Sequence, residues 1–136
     1  MSTTTTRTIT LTEKRPVKII DAEWPIIAQG DVSGDDFDPG CPNPATEKWS
    51  DWIKVRQHAD GRAIVYGGSD YERDYGTGDY RYRAGVLIQP GESIEAAIGS
   101  VSGTLAGLRP TNGRVAAHAM RDAALECVAS LPAVEI

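Results

Sequence analysis

Histidines and cysteines are the residues of this chain best suited to catalysis or metal binding, and their spacing favours neither. His58 stands beside a hairpin-turn signal, and no motif spacing connects it to His118. Cys41 and Cys127 form neither a CxxC pair nor a disulfide framework. The sequence has no nucleophile elbow, no Walker loop and no GxGxxG that opens a helix. We therefore predict a non-enzymatic protein without catalytic residues, metal ligands or a cofactor.

A tyrosine- and arginine-rich segment, SDYERDYGTGDYRYR at 69–83, is the best candidate for recognition. Its Gly-Thr-Gly centre predicts a hairpin tip, with tyrosines and charges along both arms. Tyrosine and arginine are enriched among the residues that dominate binding energy in protein interfaces. The predicted partner-binding residues in this hairpin are Tyr71, Arg73, Tyr75, Tyr80, Arg81, Tyr82 and Arg83. The alternative is that these tyrosines cover the edge of the domain's own core, and that the charges form cross-strand ion pairs.

Residues 30–49 form a second candidate region, which is acidic and rich in Gly and Pro. Turn-forming residues dominate it and no hydrophobic period appears, so the pattern predicts a long loop. Acidic side chains on such a loop would steer it toward a partner with a basic surface. We add three of them to the predicted partner-binding set: Asp35, Asp36 and Asp38.

The segment WIKVRQHADGRAIVYGG, at 52–68, raises a different possibility. Its Asp60-Gly61 pair predicts a two-residue type I′ turn, which would place Val55 opposite Tyr66. Side-chain alternation then assigns Ile64 and Tyr66 to a core face, together with Ile53 and Val55. It leaves Val65 on the other face, beside a solvated basic row. Basic grooves with aromatic platforms bind single-stranded nucleic acid. The residues of this alternative nucleic-acid or RNA site are Trp52, Lys54, Arg56, His58 and Arg62.

The length of the chain bears on the number of domains, and its net charge bears on the choice between a protein and a nucleic-acid partner. The chain has 136 residues, which predicts one domain over 1–136. Its net charge of −5 is atypical of proteins that bind duplex DNA through phosphate attraction and fits a protein partner. The amino-terminal residues contain no apolar signal-peptide core, and no apolar run is long enough to span a bilayer, so we expect a cytoplasmic protein.

Hydrophobic periodicity predicts strands first and helices last. Residues 1–6 are predicted to be a flexible tail, followed by short strands on either side of a turn at 21–24 that holds Trp24 as a core anchor. Gly67-Gly68 is predicted to break a strand. Ser93 is a predicted helix N-cap, and a second helix ends before Pro132. The fold class is α+β, with an antiparallel meander of four to five strands and two C-terminal helices on one face.

The segments RPVKIIDAEWPIIA and KVRQHADGRAIVYG resemble small uncharacterised proteins encoded by bacterial phages, plasmids and integrated elements. The resemblance covers roughly the first two thirds of the chain and carries no functional residue. It implies a context in which small acidic proteins bind host-encoded or element-encoded proteins, including defence nucleases, as anti-CRISPR proteins do. The resulting expectation is an inhibitor of a host defence complex that acts by covering a surface.

Overall fold

The structure, a computed structural model, describes residues 5–37, 46–73, 80–108 and 114–133, with side chains for 5–33, 49–70, 81–108 and 119–133. Within these ranges the chain forms six strands, one 3₁₀ turn and two α-helices. Their order is β1 (Thr6–Thr10), β2 (Pro16–Ile20), the 3₁₀ turn (Asp21–Glu23), β3 (Ile26–Phe37), β4 (Thr46–Gln57), β5 (Ala63–Arg73), β6 (Tyr80–Ile88), α1 (Ile94–Leu108) and α2 (Arg114–Ala129).

The described strands form two antiparallel sheets. Strands β3, β4, β5 and β6 make a four-stranded meander in chain order, and β1 pairs with β2 in a separate two-stranded sheet. Both helices contact the meander. The predicted α+β class and helical layer are therefore confirmed, while the first two strands form a layer of their own.

One face of the meander packs against α1 and α2. The aliphatic side chains of Ile53, Val55 and Val65 are fully buried there with Ile98 and Leu105 of α1. Alternate residues of a strand point to the same face, so this core uses every second position of β4 and β5.

Glycine brings α2 close to this face. A Cβ atom on Gly30 would lie 2.6 Å from the amide nitrogen of Cys127, so the helix rests directly on the backbone of β3. Gly30 is required here because any side chain would meet helix backbone, which cannot rotate away.

The opposite face of the meander is covered by the β1–β2 hairpin. Ile64 and Tyr66 of β5 are buried there against Ile9, Ile19 and Trp24. The predicted role of Trp24 as a core anchor is confirmed. The expectation that this face carries a solvated basic row is wrong for its centre, because a second apolar core lies on it.

The β4–β5 hairpin has a different register from the predicted one. The amide of His58 donates to the carbonyl of Arg62 at 2.9 Å, and the amide of Gly61 donates to the carbonyl of His58 at 3.0 Å. Gly61 has a φ of 97°, whereas Asp60 is not among the residues with positive φ. This is a three-residue loop with a glycine bulge, and the predicted two-residue type I′ turn is wrong.

The extra loop residue changes which residues share a face. Val55 pairs with Val65, and Tyr66 pairs with Lys54 instead of Val55. A shift of one residue exchanges the two faces of a strand. Tyr66 and Ile64 therefore lie on the same face as Arg56, and Val65 lies on the helical side.

Two other predictions about this region are wrong. Within the region 30–49, which is predicted to be a long loop, the described residues 30–37 and 46–49 are strand, since β3 extends to Phe37 and β4 starts at Thr46. Strand β5 continues through Gly67-Gly68 without a break. A Cβ on Gly68 would lie 2.7 Å from the Trp52 ring. The ring therefore occupies the space beside Gly68 that a side chain would fill.

The helix boundaries follow their local signals. The amide of Ala96 donates to Oγ of Ser93 at 3.1 Å, which confirms the predicted N-cap. Helix α2 ends at Ala129, before Pro132, as predicted.

Candidate binding surface around Trp52

The side chain of Trp52 is the centre of the candidate site. It is half-buried in β4, on the face that carries the β1–β2 hairpin. Nζ of Lys54 lies 5.3 Å from the centroid of its ring, and Cζ of Arg83 lies 5.3 Å from the same centroid. Both distances are in the range of a cation–π contact. We call the group Trp52, Lys54, Asp70 and Arg83 the Trp52 surface.

Strand register explains how these residues meet. Trp52 of β4 pairs with Gly68 of β5, which in turn pairs with Arg83 of β6. Gly68 has no side chain, so the indole and the guanidinium come together across it. The missing side chain on the middle strand thus creates the site.

The members of the Trp52 surface are held in place by neighbours. Nη1 of Arg83 donates to Oδ1 of Asp70 at 2.7 Å and to the carbonyl of Tyr82 at 2.8 Å. The ring of Tyr66 meets the Trp52 ring edge-on, with centroids 5.7 Å apart. A side chain fixed by several contacts loses little conformational entropy when a partner binds, which favours tight recognition.

Two depressions flank Trp52. One, of about 190 Å³, lies between β1 and the meander and is also lined by Arg7, Thr10 and Arg83. The other, of about 350 Å³, is also lined by Asp31, Ser50 and Lys54. Trp52 lines both depressions and forms the ridge that separates them. A partner with two projecting side chains can place one in each depression, on either side of the ring.

Arg56 does not belong to this surface. It is 5% exposed, its Nε donates to the hydroxyl of Tyr66 at 2.8 Å, and its Nη1 donates to the carbonyl of Trp24 at 3.0 Å. Nη1 also lies 3.4 Å from Oδ1 of Asp21. Arg56 therefore joins the β1–β2 layer to the meander, and its predicted place in a solvated basic row is wrong.

His58 and Arg62 lie at the other end of the meander. The His58 ring is 5.0 Å from the Trp24 ring, and Cζ of Arg62 is 5.1 Å from the Trp24 centroid. Nδ1 of His58 accepts the backbone amide of Asp60 at 3.0 Å, and Oδ1 of Asp60 lies 3.1 Å from the same nitrogen. These residues stabilise the hairpin loop around Trp24.

Most of the basic side chains on this face have acidic partners. Arg7 binds both oxygens of Asp21, at 2.9 and 3.1 Å, and this hydrogen bond is the main reason that the pKa of Asp21 is lowered. The pKa of Asp60 is lowered too, first by the backbone amide of Arg62 and then by its side chain. Among the side chains that the structure describes, Lys54 forms no salt bridge. Within the Trp52 surface, Lys54 is thus the cation without an acidic partner, whereas Arg83 is paired with Asp70.

The structure separates the predicted tyrosine–arginine set between the two faces. Arg81 is exposed, pairs in register with Asp70, and lies beside the Trp52 surface. Tyr82 is half-buried and packs against the helix-side core. Arg83 and Lys54 both contact the Trp52 ring, so residues of the predicted protein-binding set and of the predicted nucleic-acid set lie on one surface.

Other predicted residues are described by backbone position only. In strand register Asp35 lies opposite Lys48, Asp36 opposite Glu47, and Glu47 opposite Arg73. Tyr71 lies between Trp49 and Tyr80 on adjacent strands. Asp38 and Tyr75 fall outside the described residues.

Sequence reasoning missed Asp70 and Gly68 as members of the site. Both follow Gly67 in a segment predicted to bend, so no strand alternation was assigned to them. A glycine between Trp52 and Arg83 on neighbouring strands is the signal that identifies the site, and it becomes readable only once the register is known.

Comparisons of the chain with protein-family models, curated proteins and solved structures found no match. Within the described ranges, no three histidine, cysteine or acidic residues gather in a way that would hold a metal ion. None of the helices in those ranges has the length and hydropathy needed to cross a membrane.

Proposed function

We propose that this chain is a non-enzymatic binding protein that recognises another protein through the Trp52 surface. The observation that carries the proposal is the half-buried Trp52 ring, which two cations contact and two depressions flank. Tryptophan and arginine are the residue types that most often dominate binding energy at protein interfaces. A rigid ridge of this kind provides contact area at low entropic cost.

Charge supports a protein partner over a nucleic acid. A single-strand site needs a net positive groove and a ring face on which a base can stack. Here Asp70 neutralises Arg83, and the Trp52 ring already contacts Lys54 and Arg83. The chain as a whole carries a net charge of −5.

The resemblance to proteins of mobile elements guides the choice of partner. It makes a host-encoded or element-encoded protein, such as a component of a defence complex, the first class to search. The chain would inhibit such a complex by binding to it and covering a surface, because this mode of inhibition requires no catalysis by the chain. A carboxylate or carbonyl on the partner would complement Lys54.

A photo-crosslinking residue at position 81, where the exposed Arg81 lies beside the Trp52 surface, tests the proposal in cells of the source organism. We expect one specific protein adduct, and we expect Trp52→Ala to reduce it at least about 10-fold, as for a residue that dominates binding. The same crosslinker at position 92, an exposed residue in the turn before α1, is the matched control. Equal adducts at both positions, or an adduct unaffected by Trp52→Ala in a folded variant, would contradict the proposal.

Fluorescence anisotropy with single-stranded oligonucleotides at low salt tests the nucleic-acid alternative. Salt-sensitive binding that Lys54→Ala weakens would favour that alternative over the proposed function. Absence of binding at tens of micromolar protein would remove it.

A further inference from the structure

A groove runs between α1 and α2 on the side of the helices that faces away from the meander core. It has a volume of about 360 Å³ and is mostly apolar, with Gly99 and Gly103 on one wall and Leu125 and Val128 on the other. Leu125 is 59% exposed, although it is a large hydrophobic side chain. The groove is therefore an apolar surface that nothing in the described chain covers.

Two glycines of α1 have no explanation within the folded chain. Glycine is the least favourable helix residue after proline. A Cβ atom on Gly99 or Gly103 would meet nothing within 4 Å. The glycines do not serve close packing on the sheet, which Gly30 and Gly67 serve instead. Their effect is to keep one wall of the groove low.

Opposite charges lie at the two ends of the groove. Glu95 is in the first turn of α1, and Arg121 is near the start of the part of α2 that lines the groove. Consecutive helices joined by a short connection return alongside each other, so these two residues occupy opposite ends. Nε of Arg121 lies 3.9 Å from Oδ1 of its neighbour Asp122, which is a long contact for an ion pair. The side chains of Glu95, Arg121 and Asp122 are all exposed.

We propose that this groove binds the same groove of a second copy of the chain, forming a two-fold symmetric dimer. A two-fold axis that lies in the interface and crosses the groove at its middle exchanges the two ends, so Glu95 of each copy meets the oppositely charged Arg121 of the other. The charge pattern is self-complementary only in this antiparallel arrangement. Each Leu125 then packs over the low glycine wall of the other copy.

The dimer leaves the Trp52 surface free. That surface lies on the hairpin-covered face of the meander, whereas the groove lies beyond the helical layer on the opposite face. The inference does not rest on the proposed function, and a failure of either leaves the other unaffected. If both hold, one dimer presents two copies of the Trp52 surface on its two outer sides.

Sedimentation equilibrium of the full chain, from micromolar to hundreds of micromolar, tests the proposal. We expect a reversible dimer. Gly103→Leu, which fills the low wall with a good helix former, should raise the dissociation constant at least about 10-fold without lowering the melting temperature of dilute protein. A chain that stays monomeric over the whole range overturns the proposal, whatever other molecule the groove then binds.

A charge-reversal cycle tests the orientation. Glu95→Arg and Arg121→Glu should each weaken dimerisation about 5-fold at low salt, because each places like charges together. The double variant should recover the affinity to within about 2-fold, since the charges are complementary again. Single variants that leave the dimer unchanged, or a double variant as weak as the sum of both, would overturn the antiparallel arrangement and the proposal with it.

Discussion

The buried guanidinium of Arg56 donates a 2.8 Å hydrogen bond from Nε to the hydroxyl of Tyr66, which lies on the neighbouring strand. The same side chain donates to the carbonyl of Trp24 and lies 3.4 Å from a carboxylate oxygen of Asp21. One arginine thus connects the meander to the segment that follows β2. This connection, together with the apolar contacts of Ile9 and Ile19, attaches the β1–β2 layer.

Removing that guanidinium should destabilise the protein strongly. Arg56→Ala leaves the hydroxyl of Tyr66 and the carbonyl of Trp24 buried without their donor, so we expect a loss of about 3 kcal/mol in the free energy of unfolding. Urea denaturation followed by circular dichroism measures it. Arg15→Ala is the control: that arginine pairs with Glu13 on the surface, and its loss should change stability by less than about 0.5 kcal/mol. Equal effects of the two substitutions would contradict the assignment.

Alanine substitutions at two glycines should change the stability of the protein in opposite directions, because Gly30 is tightly packed and Gly107 is not. Gly30→Ala places a methyl group against the backbone of α2 and should cost about 3 kcal/mol or more, because neither β3 nor the helix can move aside locally. Gly107→Ala, in α1, meets nothing within 4 Å and should instead stabilise the protein by about 0.5–1 kcal/mol through helix propensity. Thermal unfolding of the two variants measures both. A stable Gly30→Ala protein would mean that α2 does not rest on β3.

Asp21 should make stability sensitive to acid. Its pKa in the folded protein lies below the ordinary value of 3.8, chiefly because of the hydrogen bond from Arg7. A carboxyl whose folded pKa is lowered contributes stability above its unfolded pKa, and that contribution is lost as the pH falls through the folded pKa. We expect the urea midpoint of the natural chain to fall more between about pH 5 and pH 2 than that of Asp21→Asn.

Arg7→Ala is the matching variant for this acid response. It removes the largest cause of the lowered pKa and leaves the weaker attraction of Arg56, so its acid response should lie between those of the natural chain and Asp21→Asn. Parallel profiles for all three proteins would show that this carboxylate does not contribute.

Cys127 should be inert in the folded protein. It is fully buried in α2, and burial raises the pKa of its thiol to about 11. The thiolate is the reactive form, so a shift of this size lowers reactivity near neutral pH by about 100-fold even before access is considered. In a Cys41→Ser background, a disulfide reagent should label the folded chain only at the rate of unfolding, and should label it at once in denaturant. Rapid labelling of the folded chain would contradict the buried position.

The order of elements and the helix ends could be predicted because their signals are local. Ser93 caps the helix that follows it, and the apolar stripe of α1 at Ile98, Val101 and Leu105 faces the sheet. Periodicity of about 3.6 in helices and 2 in strands is written within a few residues of each position. The α+β class follows from those periods alone.

The register of the β4–β5 hairpin could not be predicted from Asp60-Gly61. That pair fits a two-residue turn with positive φ at both residues, and it equally fits a three-residue loop in which only the glycine has positive φ. The choice depends on which face of β5 packs best against residues far away in the chain. Val65 has its partners in α1, and Ile64 has its partners in β1 and β2.

The Trp52 surface depends on the same long-range information. Trp52 and Arg83 are on β4 and β6, and only the pairing of both strands with Gly68 brings them together. The sequence singles out both side chains, but it places them in two separate candidate sites. The burial of Arg56 was equally unreadable, since the layer that covers it comes from residues 5–24.

The order of the three layers along the chain has a consequence for synthesis. The β1–β2 layer is made before the meander, so it can cover its face while β6 is still being added. The helical face, with Ile53, Val55 and Val65, has no helical cover until α1 has left the ribosome, and the cover is complete only with α2, which ends at Ala129. An interruption of translation after β6 therefore leaves a wide apolar sheet surface, the kind of surface that chaperones bind and that aggregates when it persists.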